Sequence, residues 1–142
     1  MIFGHFAVSA LIHRYTKADL RSTLVGGVFP DVVDKALCYG LKLTPSNRMY
    51  AHTLLSLGLT SVMIRLLLGP RVALGWALGY LGHLLADSSG FVPWFYPFSS
   101  YRFYRGPATL FKSMRNLFVS PRLIEWLLLA WAVWAFTWGR KR

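Results

Sequence analysis

Apolar residues recur along the chain in blocks too long for strands, broken by short polar or glycine- and proline-rich intervals, and this pattern predicts an all-α protein. The first block, Ile2 to Tyr15, reads as a helix running into the basic patch Arg14, Lys17 and Arg21. Leu24 to Leu37 contains Gly26, Gly27 and Pro30, so the chain is expected to break before Pro30 and resume as a short helix from Asp31. Thr44, Pro45, Ser46 and Asn47 mark a loop between Lys42 and Met49. His52 to Gly69 and Val72 to Asp87 are separated only by Pro70 and Arg71, and a connection that short makes them an antiparallel helical hairpin.

Each hairpin arm would be roughly 24 to 27 Å long, slightly under the roughly 30 Å hydrocarbon core, so the arms fit a thinned bilayer or a compact bundle. Ser88 to Tyr104, rich in aromatics, Pro, Ser and Gly, suits an irregular loop at headgroup depth. Leu110, Phe111, Met114, Leu117 and Phe118 fall at helical spacing opposite Lys112, Arg115 and Asn116, the pattern of an interfacial amphipathic helix. Leu123 to Trp138 is the most apolar stretch, with Glu125 its single charge and Arg140, Lys141 and Arg142 behind it, and reads as a membrane helix with a basic anchor. The expected fold is therefore a helical membrane protein with three to four apolar helices plus the interfacial helix. It forms one embedded domain, 1–142, composed of a core (1–100), a basic interfacial segment (101–122) and a C-terminal helix with its tail (123–142).

Composition narrows the function. At 142 residues there is room for one domain. Apolar residues are 55% and charged residues 15%, against about 25% charged in an ordinary soluble domain, which excludes disorder. The formal charge of +11 points to anionic headgroups of membrane lipids and not to nucleic acid, because the basic residues are scattered among apolar segments without a binding motif. The lone cysteine, Cys38, excludes an internal disulfide and a Cys-rich zinc site. Met1 to Ala10 lacks a basic region ahead of its apolar stretch and is expected to be retained.

The chain holds four His, four Asp and one Glu, and six of these sit in tight apolar contexts: His5, Asp31, Asp34, His52, His83 and Asp87. Ionisable groups in apolar helices are costly and tend to be functional. His83 and Asp87, four apart, project from one helix face and can grip one ion; Asp31 and Asp34, three apart, also share a face. His52 begins one hairpin arm and His83 and Asp87 end the other, so antiparallel packing brings them together, and the loops and first helix can deliver Asp31, Asp34 and His5. This nitrogen and oxygen set suits one or two divalent ions, zinc first, with manganese or iron as alternatives. Such a centre polarises a phosphoryl or acyl oxygen and activates water, with Asp31 or Asp34 as the base that orients it. Plainer roles stand beside these: His83 and Asp87 as a bridging pair, Asp31 as a helix cap, His52 as an interfacial residue. His13, beside Arg14, is left outside the set.

The ordered segments Gly4-His5, Gly26 to Asp34, His52-Thr53-Leu54-Leu55, Gly82 to Ser88 and Tyr96-Pro97-Phe98 resemble the membrane-bound, metal-dependent hydrolase family of YdjM-like, LexA-regulated inner-membrane proteins. That family is in turn distantly similar to zinc-dependent phospholipase C. The resemblance implies an all-helical fold and a metal held by His5, Asp31 or Asp34, His52, His83 and Asp87. This sequence departs from the pattern around His52, which Tyr50-Ala51 precede, and has no later His or Glu ligands after Asp87. Counting Lys and Arg places eleven at the metal end and five at the other, which puts the site at the cytoplasmic face of the inner membrane. The expected function is hydrolysis of an ester or phosphoester of a lipid or amphipathic substrate. The rival is a non-catalytic scaffold subunit whose aromatic surface meets protein partners or pigments.

Overall fold

The structure is a computed structural model that describes residues 2–88, 91–103 and 123–138. It is all-helical over those residues: α1 (Ile2–Thr16), α2 (Leu20–Lys35), α3 (Leu54–Leu68), α4 (Pro70–Asp87) and α5 (Leu123–Thr137), with one π-helical turn, Ala36–Gly40, extending α2. The predicted interfacial helix around Leu110 to Phe118, Arg105 and the basic tail lie outside the described residues.

Local signals set most of the boundaries. Lys17, at φ 56, ends α1, and the Asp19 carboxylate caps α2 by accepting the Ser22 N–H at 2.8 Å. Thr53 caps α3 in the same way through Ser56. Gly69, at φ 89, closes α3, and Pro70 is already the first residue of α4. The turn is thus one residue earlier and shorter than Pro70-Arg71, because proline at a helix start loses no hydrogen bond the helix would have made.

Two expectations are corrected. α2 does not break before Pro30; it runs through to Lys35. An internal proline costs a helix about 3 kcal/mol, and here tertiary packing offsets that, with Pro30 itself fully buried. Nor does the chain present three to four membrane helices: among the described residues no helix is long and apolar enough to cross a membrane. α3 and α5 have 15 residues each, about 23 Å. α4 has 18 but spends its sequence on Arg71, three glycines, His83 and Asp87, and nine of its residues are buried in the protein.

α4 lies at the centre, packed by α1, α2 and α3, while α5 packs on α1. Around it Trp76, Tyr80, Leu84 and Val92 form one apolar cluster with Phe29, Leu57, Ile64 and Trp94. Ala7 and Leu11 of α1 form a second with Ala132 and Ala135 of α5. The α2–α4 crossing is made by glycine. A Cβ on Gly79 would lie 2.0 Å from the Thr23 carbonyl oxygen, and one on Gly26 would lie 2.4 Å from that of Trp76. The two backbones therefore touch, and one turn beyond Gly79 the approach brings His83 against the main chain of α2.

Candidate metal centre

The centre forms where the helix ends meet. His83, buried in α4, donates its Nδ1–H to the Gly27 carbonyl at 2.7 Å. A carbonyl only accepts, so Nδ1 carries the proton and Nε2 presents a lone pair. His52 is held likewise: its Nδ1 is 2.8 Å from Asp34 Oδ2. The two Nε2 atoms then face each other at 3.2 Å. Two lone pairs at that distance repel unless a cation, a proton or a metal ion, lies between them.

The remaining donors surround this pair. Asp87 Oδ2 is 3.6 Å from His52 Nε2 and 3.7 Å from His83 Nε2, and Asp87 Oδ1 is 3.6 Å from His5 Nε2. Asp31 Oδ1 lies 3.8 Å from His52 Nε2. The His5 ring stacks on that of His83, with centroids 3.9 Å apart. In His5, His83 and Asp87, and again in Asp31, His52 and His83, one donor atom from each residue lies within 4.8 Å of the others. Tetrahedral coordination at about 2.0 to 2.1 Å from the metal separates donors by about 3.3 to 3.4 Å, close to the 3.2 to 3.8 Å seen here. The residues present therefore fit a divalent metal.

Asp34 stands apart from both groups. It is fully buried, and its Oδ1 accepts the backbone N–H groups of Tyr50 and Ala51, while Oδ2 accepts those of Met49 and His52 Nδ1. With its lone pairs so engaged, it shapes the loop and orients His52 from behind, the place of an outer-shell carboxylate in many metal sites. The two acidic residues of one motif thus have different positions: Asp31 faces the donors and Asp34 backs them.

Electrostatics agree with a site that holds a cation. Burial, with His83 beside it, pushes His5 down to about 3, and burial also lowers His83. Burial would lower His52 too, but Asp34 and Asp87 outweigh it and raise its affinity for a proton. Burial alone would raise Asp87 and Asp31; contacts with His52 and Arg48 hold the first, and Lys35 with His83 the second, below the usual carboxylate range.

Sequence reasoning passed over two residues. Arg48 Nη2 lies 2.7 Å from Asp87 Oδ2, and Lys35 Nζ lies 2.7 Å from Asp31 Oδ2. The Lys35 contact has an i,i+4 signal; Arg48 has none, since an irregular loop delivers it. His13 lies off the site, its Nδ1 2.7 Å from the Ala18 carbonyl.

Among the described residues, then, an all-helical bundle gathers three histidines and two carboxylates into groups that could hold a metal ion. A family model settles the kinship: it matches residues 1–141, and the chain belongs to the YdjM inner membrane protein family. No curated protein and no solved structure matches the chain, so the likeness to phospholipase C finds no support.

Proposed function

We propose that this inner-membrane family member is a metal-dependent hydrolase that cleaves an ester or phosphoester of a lipid or amphipathic substrate. The observation that carries the reading is the 3.2 Å approach of the His52 and His83 Nε2 atoms, both with their Nδ1 protons committed elsewhere, amid carboxylates and a third imidazole. His5, His52, His83, Asp87 and Asp31 would hold the metal, zinc foremost. Bound there, it supplies a Lewis acid that polarises the ester oxygen and makes water a better nucleophile. Asp34 fixes the His52 ring. Asp31, at 15% the more exposed of the two donor carboxylates, would accept the proton water gives up.

The setting favours a lipid-like substrate. No residue of α3 is buried, and its Leu59, Val62, Leu66 and Leu67 are exposed, as are Trp126, Leu127, Trp131 and Trp134 of α5. Apolar surface of this extent marks contact with lipid or protein, and the basic residues supply attraction to anionic headgroups. The eleven-to-five count of Lys and Arg does not carry over to the structure, since Arg14, Lys17 and Arg21 lie at the end of α1 remote from His5, beside the start of α4.

Elemental analysis of the purified protein beside His83→Ala tests the reading. Near-stoichiometric divalent metal in the wild type and its loss in the variant are expected. Equal content in both would remove the enzymatic reading.

A further inference from the structure

We infer that Arg48, assisted by Lys35, is the anion-binding rim of this centre, and that the group it receives is a phosphate. The inference rests on the metal-dependent reading above and names its substrate class.

Three observations lead there. First, Arg48 sits on the same loop as His52, which Asp34 clamps through the N–H groups of Met49, Tyr50 and Ala51. Ser46 Oγ accepts the Arg48 N–H as well, at 3.2 Å. The guanidinium thus springs from a fixed backbone, and its placement is no accident of a long, loose side chain. Second, it spans inside and outside: Nη2 reaches a carboxylate that is 2% exposed, while the side chain is 29% exposed. Among the described residues its other side-chain contact is a long one, Nη1 to the Phe91 carbonyl at 3.5 Å. An arginine has five N–H donors in a planar fork suited to phosphate oxygens, so most of its capacity is left for a ligand. Lys35, 22% exposed, stands on the Asp31 side of the same centre.

Third, the charge count sets the sign of the ligand. Asp31, Asp34 and Asp87 bring three negative charges and Lys35 and Arg48 two positive ones, leaving a deficit of one. A divalent ion turns this into an excess of one, and a second ion would enlarge it. A neutral carboxylic ester gains from that excess only as charge develops on its oxygen in the transition state, whereas an anionic group gains from it already on binding. A phosphoester, anionic and able to accept two parallel N–H bonds, gains both charge and geometry.

Zinc-loaded protein titrated with inorganic phosphate, followed by calorimetry, tests this, with a parallel arm of phosphatidylcholine vesicles with and without phosphatidic acid. Wild type, Arg48→Met, Arg48→Lys and the exposed control Arg71→Met are compared, each with its zinc content. Arg48→Met is expected to keep its zinc and to weaken phosphate binding at least tenfold, with partial recovery in Arg48→Lys and no change in Arg71→Met. The same dependence appearing only with phosphatidic acid vesicles would support a lipid phosphate as the source. Affinity in both arms that ignores Arg48 while zinc stays bound overturns the inference alone. Loss of zinc from Arg48→Met also overturns it, by making Arg48 a holder of Asp87. Wild type that takes up no zinc removes the hydrolase reading, and this inference with it.

Discussion

The interior around α2 and α4 and the outer helix α3 reverse the usual relation of polarity to burial. In the interior, His5, Thr23, Asp34, His52, His83 and Asp87 are buried, and glycines let the backbones touch. α3, ten of whose 15 residues are Leu, Val, Met or Ile, buries none of its residues. Apolar area removed from water contributes about 25 cal/mol per Å², yet this chain leaves much of it outside and buries groups that are costly unless paired. The difference shows that the inner region is shaped around its donors, and it agrees with membership of an inner-membrane family.

Changing glycine to alanine in both regions gives the sharpest contrast. At Gly79 the added methyl would meet the Thr23 carbonyl at 2.0 Å, whereas at Gly58 of α3 nothing lies within 4 Å. Gly79→Ala should cost 3 kcal/mol or more, on the order of severe overpacking, and should take the metal content with it. Gly58→Ala should be neutral or stabilise by up to about 1 kcal/mol through helix propensity. Denaturant unfolding in detergent reads both, and equal effects would break the comparison.

Asp34→Asn comes next. The amide would set its own N–H groups against donors that Asp34 now accepts, so a loss of about 3 kcal/mol is expected. A drop of roughly 10- to 100-fold in metal affinity should accompany it. Unchanged metal affinity would mean that Asp34 does not govern the His52 ring. The smallest effect on folding belongs to Leu66→Ser on α3, where Leu66 is 80% exposed. Folding stability should move by no more than about 0.5 kcal/mol, while binding to lipid vesicles weakens by up to about tenfold. Vesicle binding that ignores Leu66 would remove α3 from the lipid contact.

Much of this was legible beforehand. The helical blocks, the loop at Thr44 to Asn47, and the meeting of His52 with His83 followed from periodicity, turn chemistry and the antiparallel hairpin. The reading failed where one local signal met a larger tertiary one. Pro30 argues for a break, but the Gly26 and Gly27 face must lie flat against α4, and the helix continues. Apolar length suggested membrane spans, yet among the described residues α3 and α5 have only 15 residues each, and α4, with 18, is not apolar enough to cross.

The sequence by itself determined which blocks are helical and which residue types can bind a metal, because side-chain spacing and donor chemistry are local properties. It could not assign different duties to Asp31 and Asp34, which look alike three residues apart. Nor could it bring Arg48 to Asp87. Only the tertiary structure decided these, since the partner of a buried carboxylate is whichever donor the folded backbone carries to it: three loop amides for Asp34, a guanidinium for Asp87.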